Sequence, residues 1–399
     1  MIMKNTCANE QTLRTNYHYY YYRRRRHNRI SASSTTTTTT TKTKTKTTKQ
    51  VGWDGKDFNT NNNNNKTIEE LIWTFSKLEI EEIDHALEHF KQKRINIIDM
   101  DELDFPLSNN FKEKLRVMRE DLIHGRGFAI QRGIEVDKYS RNDLCAIYYG
   151  IGIHLGQPVS QNKLGHVLGH VFDLGKDAND PSVRLYTTNA AQPFHTDSAD
   201  LVGLLCIQNA SFGGDSQWCS SVRCFEEIYR ERKDLAEVLM KPFHVSRKGE
   251  IPEGMKATYE IAIFHRLVEE NIVLGIYDRS FIVAAQKIAG TPKLTAKQIE
   301  ALDYLDDKCL KLKIEMRLGK GDIQWLHNHT TFHARSAFQD EINSQSRRHL
   351  LRLWLSPPNS IKLPDAFATR FNTVEVGSRF RGGIRLNKAQ KLVCALEPE

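Results

Sequence analysis

The chain has 399 residues, 39% of them hydrophobic and 27% charged, with a formal net charge of +8. That charge is uneven: residues 1–50 hold eleven Lys or Arg against one acid, a segment charge of +10 that leaves −2 for everything downstream. The body therefore lacks the bulk positive field that nucleic-acid binding needs, and no apolar run approaches the ~20 residues of a membrane-spanning helix, so neither kind of partner is expected.

Residues 1–66 contain a Tyr run at 19–22, an Arg run at 23–26, a Thr-rich tract at 33–48 and an Asn run at 61–65. Such tracts bury too little apolar surface to offset chain entropy, and a disordered, basic, low-complexity extension is expected. The Arg-, Ser- and Thr-rich, acid-poor composition is also that of an organellar transit peptide. A cytoplasmic location is favoured, with a mitochondrial one as the alternative. The Arg run reads as a solvated charge cluster rather than a nuclear-targeting or RNA-contacting segment. Seven cysteines with no Cys-x-x-Cys pair point to a reducing compartment.

Order is expected from Thr67, where Thr67-x-x-Glu70 has the pattern of a capping box and Leu71, Ile72, Phe75 and Leu78 share one helical face. Residues 67–110 then form a helical lead-in to a domain over 111–399. A second helix is predicted over 110–124, a strand over 125–134, and a third helix from Ser140-x-x-Asp143 towards Gly156. His166 and His170 have helical i,i+4 spacing, which most often marks a packed or solvated face. Beyond Val183, short β-branched and apolar runs alternate with turns at 201–208, 271–276, 322–326 and 349–355. Helices interrupt them at 225–240 and 295–318, the latter carrying a Thr295-x-x-Gln298 cap. This is an α+β arrangement with strands forming the site and helices buttressing it.

His195-Thr196-Asp197 places a His and an Asp two apart, which on a strand point the same way and can share a metal. A histidine-dense stretch follows at 321–338, with His327, His329 and His333 as rival third ligands. Arg348, Leu350, Arg352 and Trp354 would share one strand face, and a buried Arg there needs an anion such as a dicarboxylate. Arg347 would point the other way. Gly213-Gly214-Asp215 lacks the rest of a phosphate loop and reads as a tight turn.

The order His195-x-Asp197, then Gly213-Gly214-Asp215-Ser216, then Gly321-Asp322-Ile323…Asn328-x4-His333-x-Arg335, then Arg348-x3-Arg352 resembles the taurine dioxygenase/TfdA-like enzymes. Further matches are Tyr148-Tyr149-Gly150-x-Gly152, Leu155-Gly156-Gln157-Pro158-Val159, Gln192 and Arg381-Gly382-Gly383-Ile384, so the likeness spans roughly residues 120–385. It implies a double-stranded β-helix, a jelly-roll variant, with flanking helices. It also implies an Fe(II)- and 2-oxoglutarate-dependent dioxygenase that hydroxylates a small organic substrate with O2, releasing succinate and CO2. By the same resemblance His195, Asp197 and His333 ligate iron, the last preferred over His327 and His329 by its spacing from Asn328. Arg348 pairs with the distal carboxylate of 2-oxoglutarate. Ser216 stands where the family commonly has a Thr that helps hold the cosubstrate. Arg352 matches an arginine that in some members touches an anionic substrate group and in others supports the cosubstrate; the first role suggests an anionic or amino-acid-like substrate. The carboxylate at 197 favours hydroxylation, since related halogenases lack it. Segments 161–189 and 247–259 are candidate lids. The alternatives are a non-catalytic jelly-roll binding protein and a cupin-like metal enzyme that does not use 2-oxoglutarate.

Overall fold

The computed structural model describes residues 52–58, 67–178, 180, 183–341, 347–387 and 389–398. Most of the expected basic extension, and with it the transit-peptide reading, lies outside them.

Twelve strands build two facing sheets, numbered here in chain order: β1 Ile72–Thr74, β2 Phe128–Arg132, β3 Gln157–Pro158, β4 His166–Phe172, β5 Gln192–His195, β6 Leu201–Gln208, β7 Ser216–Ser220, β8 Ile314–Met316, β9 Ile323–His327, β10 Thr331–Arg335, β11 His349–Ser356 and β12 Val393–Cys394. The larger sheet runs β1-β2-β9-β6-β11-β4-β12, with β3 beside β11, and the smaller runs β8-β7-β10-β5. Helices cover both outer faces. They are α1 Lys77–Lys93, α2 Asn109–His124, α3 Arg141–Ile153, α4 Ser221–Glu231, α5 Lys233–Leu239, α6 Arg279–Ala285 and α7 Ala296–Leu312. The result is a double-stranded β-helix between two helical layers.

Continuous apolar strands follow from burial on both faces. In β11, Leu351, Leu353 and Leu355 pack with α1–α3, through Ile83, Leu87, Phe111 and Ile147, whereas Leu350 and Trp354 pack between the sheets with Val202, Trp218 and Leu326. The even-numbered face expected for this strand is therefore the interior one, and it carries Arg348 and Arg352 inward, both buried. Arg347 lies outside, beside Asp173. The smaller sheet turns Cys219, Phe332 and Ala334 towards α4, α5 and α7.

Several local expectations change. The Thr67 box is half made: the Thr67 N–H reaches the Glu70 carboxylate at 2.9 Å, but only a short 3-10 turn follows. Residues 72–74 then pair in parallel with β2, so strand pairing outweighs the weak helical periodicity, and Leu78 ends up exposed. Helix α1 starts instead from a complete capping box, Ser76 with Glu79. The helix predicted over 295–318 stops at Leu312 because Ile314–Met316 joins β7. The one over 225–240 breaks between α4 and α5 at Arg232, whose φ/ψ is non-helical. His166 and His170 lie on a strand, β4, not a helix.

Residues 52–58 fell within the stretch expected to be disordered, yet Trp53 is buried against Phe58 and Phe128 and its indole N–H donates to the Arg126 carbonyl at 2.7 Å. One aromatic with a hydrogen-bond partner offsets a polar context that composition alone would leave disordered. Trp53→Ala should cost about 3 kcal/mol in denaturant unfolding, in the range for emptying a large aromatic site.

At the other edge, Arg141 donates to His349 Nδ1 at 2.6 Å, His349 Nε2 lies 2.8 Å from His170 Nδ1, and His170 Nε2 meets the Ala395 carbonyl at 2.9 Å. Burial, then Arg141 and His170, push His349 down to about 3. An exposed imidazole in the unfolded chain takes its proton near pH ~6.5, so below that pH the unfolded state binds more protons and the fold loses stability. The thermal midpoint should fall as pH drops from about 6.5 towards about 3, and less steeply in His349→Phe.

Candidate metal centre

Antiparallel β10 and β5 pair so that His333 stands directly opposite His195, with ring centroids 4.2 Å apart. Asp197 does not lie on the strand, as the sequence suggested, but two residues past its last residue, His195. Its backbone N–H is held by Asn328 Oδ1 at 3.0 Å, while Asn328 Nδ2 donates to the Ala199 carbonyl at 2.9 Å. This clamp swings the carboxylate back, and the ligand atoms of His195, Asp197 and His333 all lie within 4.8 Å of one another. Nδ1 of His195 donates to the Pro193 carbonyl at 2.9 Å, which leaves the lone pair on Nε2, where the Gln192 side-chain amide donates at 2.9 Å.

Burial disfavours charge on Asp197, but Arg352, with Nη1 3.5 Å from Oδ1, leads the interactions that outweigh it and hold the carboxyl below its ordinary value. Burial, then His195 and Arg352, push His333 down to about 3, so it is a neutral donor. Asp197 Oδ2 and His333 Nδ1 are buried with no hydrogen-bond partner. Two imidazoles and one carboxylate converging there, with an unpartnered buried atom on Asp197 and on His333, fit a divalent iron.

The rival histidines are otherwise engaged. Nδ1 of His327 meets the Thr330 hydroxyl at 2.9 Å. Nε2 of His329 meets Asp200 Oδ1 at 2.7 Å, and the fully buried Arg381 reaches the same oxygen at 2.7 Å. That ion cluster anchors the chain just past Asp197.

The triad sits where two cavities meet. The inner one, about 490 Å³, is lined by Ser216, His333, Arg335, Arg348 and Leu350, and shares His195, Asp197 and Arg352 with the outer one. Arg348 donates to the Gly214 carbonyl at 3.0 Å from the turn at Gly213 and Gly214, whose φ values of 67° and 76° suit glycine. A Cβ at Gly214 would stand 2.6 Å from Arg348 Nε, so this turn also makes room for the guanidinium. Arg335 carries no role in the sequence reading, yet it is equally buried. The two guanidiniums flank the Phe338 ring at 4.8 and 5.1 Å. Arg335 Nε and Nη1 and Arg348 Nη1 have no partner. Burial and their mutual repulsion push Arg335 down to about 9, and burial pushes Arg348 down to about 10. The signal for Arg335 was available: on a strand, His333 and Arg335 share a face. Ser216 lines the same cavity, but its hydroxyl donates to Gln324 Oε1 at 2.6 Å.

The outer cavity, about 880 Å³, is lined by Arg184, Tyr186, Lys248, Tyr277, Phe281 and Arg370 among others. Lys248, Arg184 and Arg370 surround the Phe281 ring at 4.7, 5.1 and 5.7 Å. Of the expected lids, 161–189 contains β4 of the larger sheet, and only its last third reaches this cavity; from 247–259, Lys248 and Tyr259 do.

The model of the taurine catabolism dioxygenase TauD, TfdA family matches residues 87–354. The chain belongs to this family. The TauD/TfdA enzymes are Fe(II)- and 2-oxoglutarate-dependent dioxygenases, and this member is accordingly an oxidoreductase with those cofactors. Similar proteins include an FR-33289 synthase of Streptomyces rubellomurinus, 29% identical over 72% of this chain and 86% of the relative. A taurine hydroxylase-like protein of Stachybotrys chartarum is 26% identical over 78% and 82%. Among solved structures, an asparagine oxygenase in complex with Fe(II), 3-hydroxyasparagine and succinate shares the fold at TM-score 0.55 and 15% identity, covering 71% of this chain and 93% of that one.

Anaerobic Fe(II) loading followed by metal analysis should find no retained iron in Asp197→Ala and about 10–100-fold weaker binding in Asn328→Ala, which loosens a ligand without removing it. Full affinity in His333→Ala together with loss in His329→Ala would overturn the choice of third ligand.

Proposed function

We propose that His195, Asp197 and His333 hold the iron, that Arg348 holds 2-oxoglutarate with Ser216 beside it, and that the enzyme hydroxylates a small anionic, amino-acid-like molecule in the outer cavity. The observation that carries this reading is the placement of the triad between an inner cavity with two arginines that keep unused donors and a wider one bordered by Arg184, Lys248 and Arg370. Bound iron, with 2-oxoglutarate and O2, supplies the oxidising power that releases succinate and CO2 and places one oxygen atom in a substrate C–H bond.

The chain's own residues supply position and dryness. A dicarboxylate in the inner cavity can pair its distal end with Arg348 and restore neutrality to a pocket that carries two buried cations. Ser216 can join by giving up its bond to Gln324 and donating to the carboxylate instead. Arg352 donates to Gln161 Oε1 at 2.8 Å, faces Asp197, and is stacked between Tyr186 and Trp354 at 4.7 and 4.8 Å. So held, it fixes the Asp197 carboxylate and borders both cavities. In the outer one, Arg184 pairs with Glu250, whereas burial pushes the Lys248 ammonium down and, among the described residues, it donates to the Ser280 hydroxyl at 3.2 Å. An anionic substrate group would satisfy Lys248 and Arg370.

Relatives agree in kind. One is named a taurine hydroxylase-like protein and another, from an Amycolatopsis species, a uridine-5'-phosphate dioxygenase, while solved structures of the same fold contain hydroxylated asparagine and arginine.

Adding 2-oxoglutarate to the anaerobic Fe(II) protein should produce the weak visible charge-transfer band of the chelate; no band in folded protein ends the dioxygenase reading. Arg348→Ala should weaken 2-oxoglutarate by about 100-fold while leaving iron affinity within a few-fold, since a charge-assisted bidentate pair contributes roughly 2–3 kcal/mol. A succinate-release screen across small carboxylates, sulfonates, phosphates and amino acids should favour anionic members, with Lys248→Ala raising KM for the best one.

A further inference from the structure

Directly behind the smaller sheet lie three cysteines that the dioxygenase chemistry does not use. Cys219 comes from β7, Cys224 from α4 and Cys309 from α7, and each is fully buried. Their sulfurs lie within 4.8 Å of one another, with Cys224 Sγ 3.8 Å from Cys219 Sγ and 3.9 Å from Cys309 Sγ. All are free thiols.

Three sulfurs around one ion at a metal–sulfur bond of about 2.3 Å in a trigonal plane stand about 4.0 Å apart. The two measured spacings are close to that, whereas a disulfide needs sulfurs at about 2.05 Å and movement of at least one element. No fourth His, Cys, Asp or Glu joins the group among the described residues. The surroundings are apolar, with Phe225, Leu305, Leu312 and Phe332 in the same cluster. Structural zinc takes four ligands, and a dry pocket supplies no water for the fourth place. Soft thiolates with a low coordination number select Cu(I).

We propose that Cys219, Cys224 and Cys309 form a three-coordinate site for a soft monovalent ion, Cu(I), separate from the iron centre. Copper enters already reduced, so no electron moves; thiol protons are released to solvent as the sulfurs bind. The ion would tie α4 and α7 to β7. Cys219 pairs in register with Phe332, the neighbour of His333, so the site braces the wall of the inner cavity.

The test is a titration of the full-length, fully reduced protein with Cu(I) in anaerobic buffer against a chromophoric chelator, followed by X-ray absorption at the copper edge. The expected result is a single retained copper, an ultraviolet thiolate-to-copper band and a shell of three sulfurs. Cys309→Ser and Cys224→Ser should each weaken retention roughly tenfold or more and remove one sulfur from the shell. A His195→Ala/His333→Ala variant, which dismantles the iron centre, should keep both the copper and the band. Folded wild-type protein that surrenders its copper to the chelator overturns the proposal, as does a copper shell rich in nitrogen that disappears with the two histidines. The wild-type absorption spectrum decides the matter even where a cysteine variant fails to fold.

Discussion

The site depends first on one strand register. β10 runs antiparallel between β7 and β5, setting His333 against Trp218 on one side and His195 on the other. Strand side chains alternate, so a slip of one residue would send His333 and Arg335 into the helical layer and bring Phe332 and Ala334 into the cavity. Phe332 in turn packs with α4 and α7 and touches the rings of Phe264 and Tyr277. The apolar contacts on one face of β10 thus hold the metal-facing side chains on the other.

Charge explains the second level of organisation. Asp197 is a buried carboxylate held below its ordinary value chiefly by the Arg352 guanidinium that faces it. Arg335 and Arg348 lie on the far side of the triad with unused donors. A divalent iron held by one carboxylate would keep a net positive charge, and the far end of the inner cavity carries Arg335 and Arg348. A dicarboxylate that chelates at one end and carries a free anion at the other would therefore meet positive charge at both.

The dense histidines of 321–338 divide by what surrounds them. His329 belongs to the ion cluster with Asp200 and Arg381, His327 to a local bond with Thr330, and of the three His333 is the one that stands with His195 and Asp197. Asn328, between them, is the residue that connects the two systems, because its side chain clamps both Asp197 and Ala199. Asp197 thus takes its position from the loop that follows β9, not from its own strand.

Much of this was legible in the sequence. Period-two alternation in β11 announced an interior face with Arg348 and Arg352, and the apolar run of β6 marked a strand buried on both sides. The His195-x-Asp197 pair stood out as two ligand types on one strand face and Arg348 as a charge on the even face of an apolar strand, whereas His333 was preferred over His327 and His329 through the resemblance's spacing from Asn328. Local pattern failed where the deciding partner was distant in the chain. Ile72–Thr74 reads as helix until β2 offers it a strand edge, and Trp53 is a lone aromatic in a polar tract until Phe128 and the Arg126 carbonyl receive it. The sequence determined which residues had to be buried and which faces were polar, since those properties repeat with the backbone's own period. Which histidine joins the metal, where Asp197 points, and that Cys309 meets Cys219 and Cys224 were decided only by tertiary packing, because these contacts join segments whose separation leaves no local pattern to read.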